Sequence, residues 1–382
     1  MSSLTIEDVV CVPLVGESPK GGWSNEIQPD DSIHALIAVH TAGGASGYGS
    51  CFTDGYLAKE AVRQLRPLLI GENAAEVGRL TETLHQNSFW MGRGGTLTHA
   101  ISGINIALWD LLGKAVGLPV SVLLGGRYKE RIEPYASLLM DEPEKMGDVL
   151  SGYVEQGYRA FKIGWGPFGR SGSYARDEAI IRAARDVLCH GEHLMVDAGG
   201  SDAFWPNRLK WAMRTADMLV DYEVDWFEEA LQPDDLEGFV ALRNYSRVPI
   251  SGAEVLTRWQ SFRPFIEAGA FDIIQPDVTK VGGITEQRRI VEMAEQHGVA
   301  YVGHGWNTAL GLAADLQMAA AFANTPFVEY IGGSRYVDGI LETPFTLDAD
   351  GFLDIPAAPG LGVTLDSGRL DGIAVGLEAL RL

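Results

Sequence analysis

The second part of the chain carries short apolar runs that alternate with stretches of helical periodicity. Eight of these runs lie near residues 134–139, 160–163, 193–196, 225–227, 249–253, 271–275, 299–303 and 327–330. Strand and helix signals that alternate in this way predict βα units and a parallel sheet. Eight units in roughly 200 to 250 residues are what a closed (β/α) barrel requires, and we predict such a barrel for residues 128–340.

The first strands of the chain are joined by an unusually long connection. Residues 4–13 and 32–41 are rich in aliphatic and β-branched side chains, and a Gly-, Pro- and Ser-containing stretch separates them. Long loops inside compact domains are commonly functional, so Trp23 and Asn25 are candidates for a loop that covers a ligand. A mobile surface loop without a binding role is the alternative.

Helical patterns follow these strands. Apolar residues recur at intervals of three and four over 57–84 and again over 97–116, where Gly117 ends the pattern. We therefore expect an α+β unit over residues 1–127. The strand-like and turn-like sequence of residues 341–382 is expected to pack back on that unit.

Charge and composition argue against several classes of partner. The 382 residues include 30 basic and 51 acidic side chains, and the net charge of -21 repels phosphate backbones and anionic lipids. We find no signal peptide and no membrane-spanning stretch. Cys11, Cys51 and Cys189 are an odd number without metal-type spacing, as expected of small buried side chains in a reducing compartment. We expect a cytoplasmic protein that binds neither nucleic acid nor membrane.

Titratable side chains stand at the ends of the last seven predicted strands. They are Lys162, Asp197, Glu228, Glu254, Asp277, His304 and Glu329. The carboxyl ends of barrel strands converge on one mouth, so these groups should share one cavity.

Three consecutive strands end in carboxylates: Asp197, Glu228 and Glu254. Like charges in a cleft raise one another's pKa, and a divalent cation relieves that repulsion. An all-oxygen ligand set without Cys or His favours Mg²⁺ over Zn²⁺. We predict one Mg²⁺ ion. Alternation along the strand allows at most one of Glu228 and Glu229 to point to it.

The remaining titratable groups predict acid and base chemistry. Asp277 beside His304 would fix the imidazole tautomer and raise its basicity, which makes a general base near neutral pH. Lys162 could pair with a substrate carboxylate or, when desolvated near Mg²⁺, lose its proton and act as a base. Glu329 could donate a proton to an enolate oxygen if burial raises its pKa.

Taken together, these motifs resemble the mandelate racemase and muconate lactonizing enzymes of the enolase superfamily. The resemblance runs nearly end to end and includes SGINIALWDLLGKAVGLPVSVLLGG, QPDVTKVGGITE, GHGWNTALGLAA and a closing PGLGV. It implies that the N-terminal domain, completed by the C-terminal tail, caps the barrel, and that the protein is a homo-oligomer. It also implies Glu228 as the ligand, with acid/base and enolate-contacting roles for Lys162, Asp277, His304 and Glu329.

Three positions depart from the family pattern. The usual Lys-x-Lys reads Lys162-Ile163-Gly164, a frequent Asn is Gly199, and a common Pro is Ala230. Positions i and i+2 share a strand face, so Gly164 is expected to leave a gap where a second ammonium would reach. Racemisation needs bases on both faces of the enolate, and the loss of one lysine therefore favours one-base chemistry.

We predict dehydration of an acid sugar through an enediolate, with His304 as the base. A racemase, epimerase or cycloisomerase of a hydroxy acid or sugar-acid lactone is an alternative, as is a catalytically silent carboxylate-binding barrel. A Zn²⁺ hydrolase is weaker, because no His lies among the proposed ligands. Arg170 and Tyr174, in the long segment after Gly164, are candidates to replace the missing ammonium.

Overall fold

The structure is a computed structural model that describes residues 4–16, 32–170, 172–199, 208–330, 332, 335–336 and 339–382. The loop candidates Trp23 and Asn25 lie outside these ranges.

The N-terminal sheet has three antiparallel strands, β1 (Ile6–Leu14), β2 (His34–Thr41) and β3 (Ser46–Phe52). Both neighbours of β2 are strands, and all its residues are buried. The sequence pattern did not predict β3, because its glycines weaken the strand signal. They have a packing role: a Cβ at Gly47 would lie 2.1 Å from the carbonyl oxygen of Ala107, so glycine is needed for the close approach of the helix that covers β3.

Four helices follow this sheet: α1 (Gly55–Leu65), α2 (Val77–Ser88), α3 (Thr96–Val116) and α4 (Val120–Leu123). The helical signal over 57–84 is broken in the structure, because a 3₁₀ turn at Arg66–Leu68 contains a proline and is followed by Gly71 with φ +84°. The predicted end of α3 is confirmed, since Gly117 forms its left-handed C-cap with φ +73°.

Among the described residues, eight parallel strands form the barrel sheet. They are β4 (Arg131–Leu139), β5 (Ala160–Gly164), β6 (His193–Asp197), β7 (Phe227–Glu228), β8 (Ile250–Gly252), β9 (Ile273–Ile274), β10 (Ala300–Tyr301) and β11 (Phe327–Tyr330). Neighbours pair in chain order from β4 to β10, and β11 returns to pair with β4. Each strand overlaps one of the eight predicted runs, so the predicted barrel is confirmed.

Helices connect these strands: α5 (Pro143–Glu155), α6 (Tyr174–Arg185), α7 (Arg208–Val220), α8 (Leu236–Tyr245), α9 (Arg258–Ala268), α10 (Ile284–Gln296) and α11 (Ala309–Ala321). Every residue of α11 is buried, because this helix contacts α4 and β3 as well as the barrel strand β11. No helix in the described part of the chain is long and apolar enough to cross a bilayer.

The C-terminal residues return to both parts of the molecule. Strand β12 (Leu353–Asp354) pairs antiparallel with β4, and the short helix α12 (Ser367–Leu370) follows. Val375 then donates its N–H to Pro13 of β1 at 2.9 Å. One continuous core joins the N-terminal sheet, the barrel and this tail. The N-terminal domain is thereby fixed against the barrel.

Candidate active site

A cavity of about 190 Å³ lies at the carboxyl ends of the barrel strands. Its lining includes five of the seven predicted titratable residues: Lys162, Asp197, Glu254, His304 and Glu329. Glu228 and Asp277 are fully buried behind this lining and contact residues within it. The strands thus bring all seven groups to one site.

The three carboxylates predicted as metal ligands form a tight cluster. Each of Asp197, Glu228 and Glu254 offers an oxygen that lies within 4.8 Å of the others. Burial, with the neighbouring charge of Glu228, raises the pKa of Asp197 well above its usual range. A hard divalent cation with oxygen ligands would remove this penalty, so the donor set fits Mg²⁺.

Glu228 is oriented by neighbours on both of its oxygens. Its Oε1 accepts a hydrogen bond from Lys162 Nζ at 2.6 Å, and its Oε2 accepts from Trp226 Nε1 at 2.9 Å and from Gln275 Nε2 at 2.8 Å. Sequence reasoning missed Trp226 and Gln275, although Trp226 stands two positions before Glu228 and so shares its face. Glu229 has φ +44° and lies outside the ligand cluster.

Lys162 is an ammonium surrounded by carboxylates. Its Nζ lies 2.6 Å from Glu228, 3.2 Å from Glu329 and 3.7 Å from Asp197. Burial lowers the pKa of Lys162, but these carboxylates raise it by more, so the pKa is well above its usual range. In this arrangement the carboxylates hold Lys162 as an ammonium, the form that pairs with anions.

The net pKa of Glu329 is lowered, so the raised pKa that proton donation would require is not found. Burial does act in that direction, but the Lys162 ammonium, His304 and a backbone N–H from Gly305 at 2.7 Å hold the pKa of Glu329 at about 2. Glu329 is ionised in this environment. It accepts hydrogen bonds and has no proton to donate.

Asp277 and His304 form the expected dyad. His304 Nδ1 lies 2.8 Å from Asp277 Oδ2, and the other oxygen of Asp277 accepts from the backbone N–H and hydroxyl of Thr279. Burial raises the pKa of Asp277, but these hydrogen bonds and the charge of Lys280 lower it by a larger amount. The pKa therefore ends below its usual value, and the carboxylate is ionised. An ionised Asp277 binds the Nδ1–H tautomer of His304, which leaves Nε2 as the proton acceptor.

The basic nitrogen of His304 is directed at the carboxylate cluster. His304 Nε2 lies 3.2 Å from Glu254 Oε2. Burial lowers the pKa of His304, whereas the charge of Glu254 and the Asp277 hydrogen bond raise it, and the pKa ends above its usual value. A histidine base beside a cation site can remove a proton from a carboxylate substrate held there.

Lys280 is a second buried cation that sequence reasoning missed. Its Nζ lies 3.7 Å from Asp277 Oδ2 and 4.3 Å from the ring centroid of Phe52, and the residue lines the cavity. The available signal was its spacing, three residues after Asp277 in QPDVTK. Phe52 comes from β3, so the N-terminal domain contributes to the cavity wall.

Gly164 lines the cavity, as the expected gap requires, but it also lies close to Asp197. A Cβ at this position would lie 2.7 Å from Asp197 Cβ, because β5 and β6 approach closely where Gly164 pairs with Asp197. A side chain at residue 164 would therefore displace a carboxylate of the ligand cluster.

The residues proposed to replace the missing ammonium lie elsewhere. Neither Arg170 nor Tyr174 lines the cavity in the described part of the chain. Arg170 is exposed, and the ring of Tyr174 lies 3.6 Å from the guanidinium carbon of Arg214. Lys162 and Lys280 are the lysines that line the cavity.

Comparison with known families agrees with this geometry. Residues 30–125 match the N-terminal domain of the mandelate racemase / muconate lactonizing enzyme family, and residues 145–369 match the family described as enolase C-terminal domain-like.

Characterised relatives span almost the whole chain. A D-galactarolactone cycloisomerase from Agrobacterium fabrum is 30% identical over 89% of this chain and 91% of its own length. A D-xylonate dehydratase from Haloferax volcanii is 31% identical over 90% of this chain and 86% of its own length. A racemase from Streptomyces coelicolor A3(2), solved with bound magnesium, superposes with a TM-score of 0.84 at 27% identity, covering 97% of this chain and 100% of that one. The chain belongs to the mandelate racemase / muconate lactonizing enzyme type of the enolase superfamily.

Proposed function

We propose that this protein is a Mg²⁺-dependent enzyme that removes the α-proton of a sugar acid and eliminates its β-hydroxyl as water. The observation that carries the proposal is the position of His304, whose basic Nε2 lies at the carboxylate cluster while Asp277 holds its other nitrogen. Asp197, Glu228 and Glu254 would hold one ion. Bound Mg²⁺ would supply positive charge that stabilises the dianionic enediolate.

The proposed reaction proceeds in two proton transfers. His304 Nε2 takes the proton from the carbon next to the carboxylate, and the electron pair of that C–H bond forms the enediolate. The imidazolium then protonates the β-hydroxyl as its bond to carbon breaks, so that water leaves and an enol remains. Ketonisation of the enol gives a 2-keto-3-deoxy acid. Lys162 and Lys280 are the cations that could hold the substrate oxygens during these steps.

The relatives support this type of elimination and define its main alternative. The relatives include a D-xylonate dehydratase and a D-galactarolactone cycloisomerase. In the mechanism proposed here, a dehydratase would expel a β-hydroxyl, whereas a cycloisomerase could expel a ring oxygen from the same enediolate. The α-proton step at His304 is common to both. We favour elimination over two-base racemisation because β5 carries one lysine, Lys162.

Several further properties belong to the same proposal. We infer a homo-oligomer in the cytoplasm, with domains at 1–127, 128–340 and 341–382. The net charge of -21 supports a protein that does not bind nucleic acid or anionic membranes. A small polar substrate fits the size of the cavity.

A screen of sugar acids in D₂O tests the function. Aldonates, aldarates and their lactones are incubated with the purified protein and Mg²⁺, and products are followed by NMR. The expected result is deuterium at the α-carbon of unreacted acid or formation of a 2-keto-3-deoxy acid. Tight carboxylate binding without exchange or elimination across the library would instead show a catalytically silent barrel.

His304→Asn tests the assigned base. We expect loss of α-proton exchange by about three orders of magnitude or more, since asparagine retains size and polarity but cannot take the proton. His297→Asn is the matched control, because His297 is exposed at the end of α10. Turnover that survives His304→Asn in a folded protein would exclude His304 as the base.

A further inference from the structure

Trp165 has a backbone conformation that is rare for a bulky residue. It follows β5 directly and has φ +59°, where large side chains are outliers. Such strain persists only where the surroundings impose it. Here the N–H of Trp165 donates to the carbonyl oxygen of Asp197 at 3.1 Å, and the following Gly166 packs against Met140. These contacts fix where the indole lies.

The indole packs on Gly199. A Cβ at Gly199 would lie 2.7 Å from Cδ2 and 2.8 Å from Cε2 of Trp165. Gly199 itself has φ +59°, and its N–H donates to Asp197 Oδ1 at 2.7 Å. The two glycines that depart from the family pattern are therefore linked: Gly164 lets Asp197 approach β5, and Gly199 leaves room for the indole.

The uncharged part of the cavity lining, to which this indole belongs, is mainly apolar. Apart from the titratable groups and Ser137, the described lining consists mainly of Phe52, Leu138, Leu139, Trp165, Val255 and Trp306. Trp165 is half-buried, so part of its ring remains accessible from the cavity. Aromatic rings with a negative π-face contact carbon-bound hydrogens favourably, so this part of the lining suits the carbon face of a substrate.

We propose that Trp165 is a specificity-determining residue whose indole binds the C–H face of the substrate carbons beyond the α-carbon. It does so on the β5 side, where the family usually places its second lysine. The inference rests on the proposed function, since it requires a carboxylate held at Asp197, Glu228 and Glu254. The site then binds acids that present several ring or chain carbons to the indole more tightly than it binds short acids.

Two small acids test this inference by calorimetry with the Mg²⁺-loaded full chain. Glycolate and tetrahydrofuran-2-carboxylate both offer a carboxylate and an α-oxygen, and they differ in the ring carbons. We expect the ring acid to bind about tenfold more tightly than glycolate.

Trp165→Ala should abolish this preference and leave glycolate affinity unchanged, and Trp165→Phe should retain part of the preference. Trp90→Ala, at an exposed tryptophan after α2, is the matched control.

A second variant distinguishes loss of the indole contact from general damage to the binding site. Gly199→Ala keeps the tryptophan but pushes the indole from its place, so it should reproduce the loss of preference for the ring acid. A preference that survives Trp165→Ala, or an equal loss for both acids, would overturn the inference. Wild-type protein that binds both acids equally would overturn the inference alone. Wild-type protein that binds neither acid would contradict the carboxylate site of the proposed function as well.

Discussion

Gly164 shows how one residue can constrain the metal site without touching the ion. Its Cα stands so close to Asp197 that any side chain would meet that carboxylate's Cβ. Any residue larger than glycine at position 164 would therefore require Asp197 or β5 to move.

We predict that Gly164→Ala weakens Mg²⁺ binding. The added methyl must move Asp197, and displaced support around a metal ligand commonly costs about 10- to 100-fold in affinity, with about 1–3 kcal/mol of stability lost to overpacking. Titration calorimetry with Mg²⁺ measures the first effect and thermal unfolding the second. Gly152→Ala is the control, since nothing lies within 4 Å of a Cβ there and helix α5 should gain about 0.5–1 kcal/mol. Unchanged Mg²⁺ affinity in Gly164→Ala would refute this role.

The sequence predicted the identity of the site residues better than their charge states. Asp277 and His304 could be paired because both follow strands that end at one barrel mouth. The low pKa of Glu329 could not be predicted, since it depends on Lys162 approaching to 3.2 Å from β5, on the far side of β4. Lys280 was missed because a lysine three residues after an aspartate is also common on solvent-exposed turns.

At the scale of elements, the strands were predictable and some boundaries were not. The barrel runs were recognised because buried parallel strands are continuously apolar. β3 was missed because close packing against α3 replaced its side chains by glycine at residues 47 and 49. A break between α1 and α2 was also missed, since the apolar periodicity continues across Pro67 and Gly71 although the backbone does not.

Adjacent barrel strands are also tied at their amino ends, by His193 and Asp225. His193 Nδ1 lies 2.7 Å from Asp225 Oδ1, and Asp225 Oδ2 accepts the N–H of Leu194 at 2.9 Å. The hydrogen bond to Asp225 raises the pKa of His193 above 6.5, although burial acts in the opposite direction. Folding therefore favours the protonated imidazole. The stability contributed by the protonated His193–Asp225 pair is fully present below about pH 6.5. It is lost as the pH rises through the raised pKa of His193.

We predict that His193→Gln destabilises the protein more at pH 6 than at pH 8.5. The pH-dependent part of the lost unfolding free energy should reach at most about 1 kcal/mol. The side chain of His193 is 37% exposed, and solvent screens its interaction with Asp225. Urea unfolding at the two pH values measures it. Asp225→Asn should remove the same pH-dependent part by removing the partner charge. An equal loss of stability at both pH values would show that the ion pair is not responsible.

On the scale of the whole molecule, the C-terminal tail connects the N-terminal domain to the barrel. His40 of β2 contacts the carbonyl oxygen of Ala379 at 2.9 Å, and the buried Leu380 belongs to the same core as Val12 and the barrel residues. β3 also reaches the active site directly, because Phe52 lines the cavity. The hydroxyl of Thr308, four residues after His304, donates to Ser50 at 2.8 Å. The site thus depends on contacts between both domains.

A shared core predicts that the two domains unfold together. Leu380→Ala removes a fully buried side chain and should cost about 2–4 kcal/mol. Leu57→Ala, at an exposed leucine of α1, is the control and should change stability by no more than about 0.5 kcal/mol. In calorimetry and in near- and far-UV circular dichroism, Leu380→Ala should shift one coincident transition to lower temperature. A separate early transition in the variant would mean that the N-terminal domain can leave a folded barrel. Since that domain supplies Phe52 to the cavity, carboxylate binding should then be lost before the barrel unfolds.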